Sequence, residues 1–226
     1  MDTLSDAFAF TAGLPATAGL LVAAATIFLT SDWRLSLTGL LVQYLLLGLT
    51  LTRFIQPELA IAKILAGGLA VSILYLTARH IQDVKGQPAA SREGSHLLGL
   101  PIGWGAGPLG LPLRLLVVFL VALAVLRLFS AYSGSPVPAD IALVALWLGG
   151  MGMAGLVLGH EPLRVAAAVL TFLAGFDLVY TILEHNLAVS GLLGALLLLT
   201  ALAFSYLATV HGLGSHPVEP EEEAGP

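Results

Sequence analysis

The run Leu163-Arg-Val-Ala-Ala-Ala-Val-Leu-Thr-Phe-Leu-Ala-Gly-Phe-Asp177-Leu-Val-Tyr-Thr-Ile-Leu183 decides how this chain is read. A helix needs about 20 mostly apolar residues to cross the hydrocarbon core of a bilayer. This run has that length, with one base, Arg164, at its edge and one acid, Asp177, inside it. No segment of the chain alternates with period two over the length that a barrel strand requires. Six more runs of the same kind occupy Thr11–Thr30, Leu35–Thr52, Leu59–Ala78, Leu113–Ala131, Ile141–Gly159 and Leu187–Val210. Together they imply an all-α polytopic membrane bundle of about seven transmembrane helices.

The composition agrees. Of 226 residues, 58% are hydrophobic and 10% charged, and the mean hydropathy is +0.95. Soluble domains carry about 25% charged residues, so a water-exposed fold of this size would have more apolar surface than it can hide. The absence of Cys excludes thiolate-bound clusters, Cys-ligated zinc, disulfides and thiol catalysis. Nine Lys and Arg against 14 Asp and Glu give a net charge of −5. With no basic patch to follow a phosphate backbone, nucleic acid is not an expected partner. The N-terminus, Met1-Asp-Thr-Leu-Ser-Asp6, lacks the positive region of a signal peptide, and no cleavage is expected.

Short polar breaks separate most runs and make neighbouring helices antiparallel. Pro57 and Pro162 each fall in the first turn of the helix that follows, where a missing N–H costs nothing. The break from Arg79 to Gly110 is longer. It starts with a charged, solvated part (Asp83, Lys85, Arg92, Glu93) and ends in a Gly- and Pro-rich apolar part near Trp104 that suits the membrane interface. The chain thus divides into a three-helix half (1–78), a loop (79–110), a four-helix half (111–210) and an acidic tail (211–226) whose composition predicts disorder. With the long loop in the cytoplasm, Arg34, Arg79, Lys85, Arg92, Arg114 and Arg164 lie inside, and Arg53 and Arg127 outside. The excess of basic residues favours an N-terminus outside, a C-terminus in the cytoplasm, and residence in the plasma (inner) membrane.

A few residues break the apolar pattern. Lys63 and Asp177 are ionisable groups within spans, and a charge at the bilayer centre costs roughly 2.5–3.5 kcal/mol on insertion scales. Lys63 can snorkel along its stem to the interface, or it can pair; Asp177 has no such stem. With a rise of 1.5 Å per residue, Lys63 lies about 8 Å and Asp177 about 6 Å from their helix midpoints, both toward the outer side. That shared depth predicts an ion pair. Tyr180, Thr181 and Glu184 follow Asp177 at i+3, i+4 and i+7 and would carry a polar face outward. The pair can also serve only to fix helix register. Gln43 and Tyr44 sit mid-helix and are expected to hydrogen-bond between helices. Gly152, Gly155 and Gly159 form a small-residue stripe, and Gly191 with Gly194 a shorter one. Neither stripe has an obvious use within one chain, which points to contact with other subunits. The six histidines, His80, His96, His160, His185, His211 and His216, lie in loops, helix ends or the tail, so no haem, metal or other cofactor is expected. There is no phosphate loop, HExxH, GxSxG or carboxylate cluster, and hence no expected catalytic residue.

The order of these features resembles a known family. Trp33-Arg-Leu-Ser36, Val42-Gln-Tyr-Leu45, Ala60-Ile-Ala-Lys63-Ile-Leu65 and Tyr75-Leu-Thr-Ala-Arg-His-Ile81 resemble the first half of hydrogenase-4 component E. Leu158-Gly-His-Glu-Pro-Leu-Arg164 and the helix bearing Asp177 resemble its second half, which is related to the small three-helix subunit of respiratory complex I. Asp177 stands at the place of that subunit's first membrane glutamate. Two positions depart from the pattern: Leu178 follows the acid where the family has a polar residue, and Ser190 to Tyr206 holds no second acid. The resemblance implies a non-redox accessory membrane subunit of a hydrogenase-4-like or complex I-like assembly. Its partners would be antiporter-like and other membrane-arm subunits, and it would line a proton or Na⁺ path through Asp177 and Lys63. The alternative is a self-sufficient small secondary transporter, although no pair of broken helices marks a midplane substrate site. A membrane enzyme acting on lipid or isoprenoid substrates would need interfacial carboxylates or His pairs that are missing.

Overall fold

The computed structural model describes residues 14–30, 32–84, 110–131, 137–183 and 187–213. Seven helices run through them: α1 (Leu14–Leu29), α2 (Trp33–Leu51), α3 (Pro57–Val84), α4 (Gly110–Ala131), α5 (Ala139–Leu158), α6 (Pro162–Leu183) and α7 (Leu187–Leu213). Six of them, α2 to α7, are long and apolar enough to cross a membrane; described α1 spans 16 residues. No strand occurs among the described residues. The chain is a helical, multi-pass membrane protein.

Local chemistry accounts for the helix ends. Asp32 caps α2, its side chain accepting a hydrogen bond from the Arg34 N–H at 2.9 Å. Pro57 and Pro162 open α3 and α6, as their fixed φ favours. α3 continues to Val84, beyond the expected end at Ala78. The added residues lie past the apolar run but still favour helix, and Arg79 and Asp83 form an i,i+4 pair at 4.0 Å. The rest of the expected loop, with Lys85, Arg92, Glu93, His96 and Trp104, lies outside the described residues. So do the N-terminal segment, Glu184, His185 and the acidic tail.

The helices form two rows. α1, α2 and α3 pack side by side, as do α5, α6 and α7, and the rows stack with α1 on α5, α2 on α6 and α3 on α7. α4 lies outside the rows, against α5 and α1. The middle helices α2 and α6 are therefore the most enclosed, and their fully buried Leu40, Leu47, Leu170 and Leu178 form the centre of the core. Phe119, Leu126, Val157, Leu192 and Leu199 project outward, as expected where the surrounding solvent is lipid.

Glycine sets the closest approach, and it does so within this chain. A methyl group at Gly155 would stand 2.7 Å from Ala168 Cβ, and one at Gly152 would stand 2.7 Å from the Phe172 backbone nitrogen. Gly159, which ends α5, is confined in the same way by Val165. The stripe on α5 is thus filled by α6 of the same chain, which corrects the expectation that it has no use in a single chain. Small residues let two backbones come together, and an antiparallel neighbour joined by a short turn is the first backbone available. On α7, no heavy atom lies within 4 Å of a Cβ built at Gly191, so the shorter stripe is open there.

The two ends of the bundle differ in charge. One end gathers Arg34 (3.5 Å from the Gln82 side-chain oxygen), the Arg79–Asp83 pair, Arg114 (donating to the Leu29 carbonyl at 3.3 Å) and Arg164 (3.5 Å from Glu161). At the other end Arg53 meets Asp140 at 3.3 Å.

Candidate functional site: a partly buried ion pair among four helices

α3 and α6 pack on common neighbours, α2 and α7, and make little direct contact. Lys63, in the second turn of α3, and Asp177, on α6, face each other across the gap. The Lys63 Nζ donates a hydrogen bond to Asp177 Oδ1. Their side chains are only 11% and 17% exposed, so the amine ends on the carboxylate and does not reach along its stem to the interface. Alternating helix direction explains the meeting. Lys63 is near the start of α3 and Asp177 near the end of α6, and these ends lie on the Arg53–Asp140 side of the bundle.

A cavity with about 20 Å³ open to the centres of water-sized molecules adjoins the pair, lined by Tyr44, Lys63, Ala66, Asp177, Gly194 and Leu197 among others. That is room for about one water. The Tyr44 hydroxyl donates to the Leu170 carbonyl at 3.0 Å, tying α2 to α6 as expected of an interhelical polar residue. Gly67 makes this possible: a methyl group there would overlap the Tyr44 ring. Thr181 donates to the Asp177 carbonyl at 2.6 Å and lies 3.4 Å from the carboxylate Oδ1.

The remaining expected residues are placed differently. The Tyr180 ring stacks on Phe176, with centroids 6.1 Å apart, and Phe176 is largely exposed. Glu184 lies outside the described residues. Gln43 is fully buried on α2, but neither its amide nitrogen nor its amide oxygen has a hydrogen-bond partner among the described residues. The expectation of interhelical packing fits that burial; among the described residues the expected hydrogen bond is not made. A seven-residue interval places Gln43 on the same face of α2 as buried Ser36 and Thr50, and the neighbouring position, Tyr44, makes the bond to α6 instead.

Several contacts had no signal in the sequence. Trp147 Nε1 donates to the Leu21 carbonyl at 3.0 Å, and the hydroxyls of Thr77 and Ser205 bond between α3 and α7. Each joins residues more than a hundred positions apart that sit on facing rows. Amphipathic periodicity cannot identify such partners where all faces are apolar.

A carboxylate and an ammonium in contact, shielded from lipid and beside a water-sized space, form a unit able to accept, hold or pass a proton. Among the described residues no group of three or more His, Asp or Glu is placed to hold a metal ion. A larger groove, about 420 Å³ between α4 and α5–α6, is lined by apolar side chains and glycines such as Val125, Gly149, Gly150 and Phe176, and none of its lining residues is titratable. Comparison of the chain with family models, with curated proteins and with solved structures finds no match.

Proposed function

We propose that this chain is a non-redox accessory subunit in the membrane arm of an ion-translocating oxidoreductase complex of the hydrogenase-4 or complex I type. In this reading Asp177 and Lys63 line part of a hydrated proton or Na⁺ path. The observation that supports it is the contact between these two charges. They lie in separate halves of the chain, each within a segment whose motifs resemble that family, and they meet beside a water-sized cavity. A charge pair in the membrane interior is costly to insert and is commonly kept for ion pathways and proton relays. Thr181 beside the carboxylate extends the polar surface one turn outward.

The cation-rich end faces the cytoplasm in this proposal. The N-terminus is then outside, the C-terminus inside, and the membrane is the plasma (inner) membrane. The partners are antiporter-like and other membrane-arm subunits. The faces left for them are those of α4 and α7, which the rest of the chain covers least.

Two measurements test the reading. Purification in mild detergent, with co-purifying chains identified by mass, should recover antiporter-like subunits; a monodisperse monomer in their absence overturns the subunit assignment. In the assembled complex, Asp177→Asn should slow ion translocation several-fold while leaving assembly intact. Unchanged translocation and electron transfer in that variant would reduce Asp177 to a structural residue.

A further inference from the structure

A second polar cavity lies at the opposite end of the bundle from the ion pair. It is bounded by α1, α2, α5 and α6, and α4 reaches it through Arg114. Arg114 and Arg164 both line it, with Ser36, Thr30 and Thr171 supplying hydroxyls and Phe28 part of an apolar wall. The space open to water-sized centres is about 40 Å³, several times what a single water needs. Two guanidinium groups on one small cavity repel each other, and bringing them there is favourable only where negative charge answers them. Glu161 answers Arg164 at 3.5 Å, but its side chain is 71% exposed and can turn away into solvent. Three helices begin at this end, and Ser36, Arg114 and Arg164 all lie within the first five residues of α2, α4 and α6. The positive ends of these three helix dipoles thus meet the carboxyl ends of α1 and α5, which bring Thr30, Leu158 and Gly159 to the same cavity.

We propose that this cavity binds a phosphate-type oxyanion, carried by the headgroup of an anionic phospholipid. Guanidinium offers paired N–H donors whose spacing matches two phosphate oxygens. Arg114 already donates to the Leu29 carbonyl at the end of α1, so the oxyanion would tie α1, α4 and α6 together at their shared end. Basic pockets between transmembrane helices, at the level of the headgroups, suit anionic lipid. The apolar wall formed by Phe28 suits the start of an acyl chain. The site is separate from the Lys63–Asp177 pair and does not depend on the proposed function.

The test uses the full chain in mild detergent with three probes: phosphatidylglycerol, phosphatidylcholine and inorganic phosphate. Retained lipid is read by native mass spectrometry, and the midpoint of thermal unfolding by fluorescence. Phosphatidylglycerol should be retained and raise the midpoint, whereas phosphatidylcholine should do neither. R164Q should weaken phosphatidylglycerol binding about tenfold, and R127Q, an exposed arginine near the other end of α4, should leave it unchanged. E161Q keeps both arginines and removes the competing carboxylate, so it should strengthen binding several-fold. If inorganic phosphate displaces the lipid at equal concentration, the oxyanion site stands and the lipid source is overturned. Equal retention of the two lipids overturns the proposal. So does phosphatidylglycerol binding that neither R164Q nor E161Q alters.

Discussion

The ammonium of Lys63 on α3 donates to the carboxylate of Asp177 on α6, across a gap that neither helix closes by packing on the other. The pair thus stands where a direct helix–helix contact would otherwise be. Its surroundings are supplied by α2 and α7, with Tyr44 on one side and Gly194 on the other. Most of the consequences below follow from that placement.

Removing one charge should cost far more than removing both. Lys63→Ala leaves a shielded carboxylate without its counter-charge, a loss of about 3–5 kcal/mol for buried pairs. Asp177→Asn should cost less, because the freed lysine stem can swing toward the nearby bundle end. The double variant Lys63→Ala/Asp177→Asn should recover most of the stability lost in Lys63→Ala. Thermal unfolding of all four proteins in one detergent, analysed as a double-mutant cycle, checks this. Additive losses would show that the two residues do not stabilise each other.

The two glycine stripes should respond in opposite ways. Gly155→Leu forces a side chain into Ala168 on α6 and should destabilise the chain by at least the 1–3 kcal/mol typical of overpacking. Gly191→Leu meets open space and should stay within about 0.5 kcal/mol of wild type, as substitutions at open surface sites usually do. Unfolding midpoints of the isolated chain separate the two, since the contact is internal. Equal tolerance at both positions would contradict the close packing of α5 on α6.

Gln43 should be better replaced than kept, as far as stability alone is concerned. Its amide is buried with no partner among the described residues, and an unsatisfied buried polar group costs about 1–3 kcal/mol. Gln43→Met, similar in volume and without donors or acceptors, should raise stability by about 1 kcal/mol or more. A clear loss of stability would mean that the amide is satisfied by bound water. Hydrogen exchange in the middle of α2 would then be the next measurement.

Helix direction can be read with reporters. Lys85 follows α3 and Glu222 follows α7, so fusions at both should score the same side, and a fusion at Ser135, between α4 and α5, the other. By the distribution of basic residues, Lys85 and Glu222 should be cytoplasmic. A cytoplasmic score at Ser135 alone would invert the orientation of the bundle. The same score at all three would break the span count.

Much of the fold could be read because each span has to satisfy the bilayer by itself. An apolar run of the right length is a local property, so the spans and the prolines at Pro57 and Pro162 were legible residue by residue. The end of α3 was not, because hydropathy marks where the lipid stops, whereas the helix continues through Arg79 to Val84 in polar surroundings. The shared depth of Lys63 and Asp177 was legible from rise per residue and helix direction, but depth alone does not tell which helices are neighbours. The stripe of Gly152, Gly155 and Gly159 announced a close contact without naming α6 as the partner.

The sequence by itself determined the class of protein, the approximate spans, their alternating direction and the height of each intramembrane charge. All of these depend on one helix at a time against a uniform apolar solvent. Only the tertiary structure decided that the helices stack as two rows, that α4 stands outside them, and that Gln43 is buried with no hydrogen-bond partner among the described residues. It also decided that Lys63 turns to Asp177, and that Arg114 and Arg164 converge on one cavity at the other end. The physical reason is that in lipid every apolar face is equally acceptable to the solvent, so lateral order comes from close packing and from the few polar groups that must find each other. Those choices involve residues fifty to more than a hundred positions apart and leave no periodic trace along the chain.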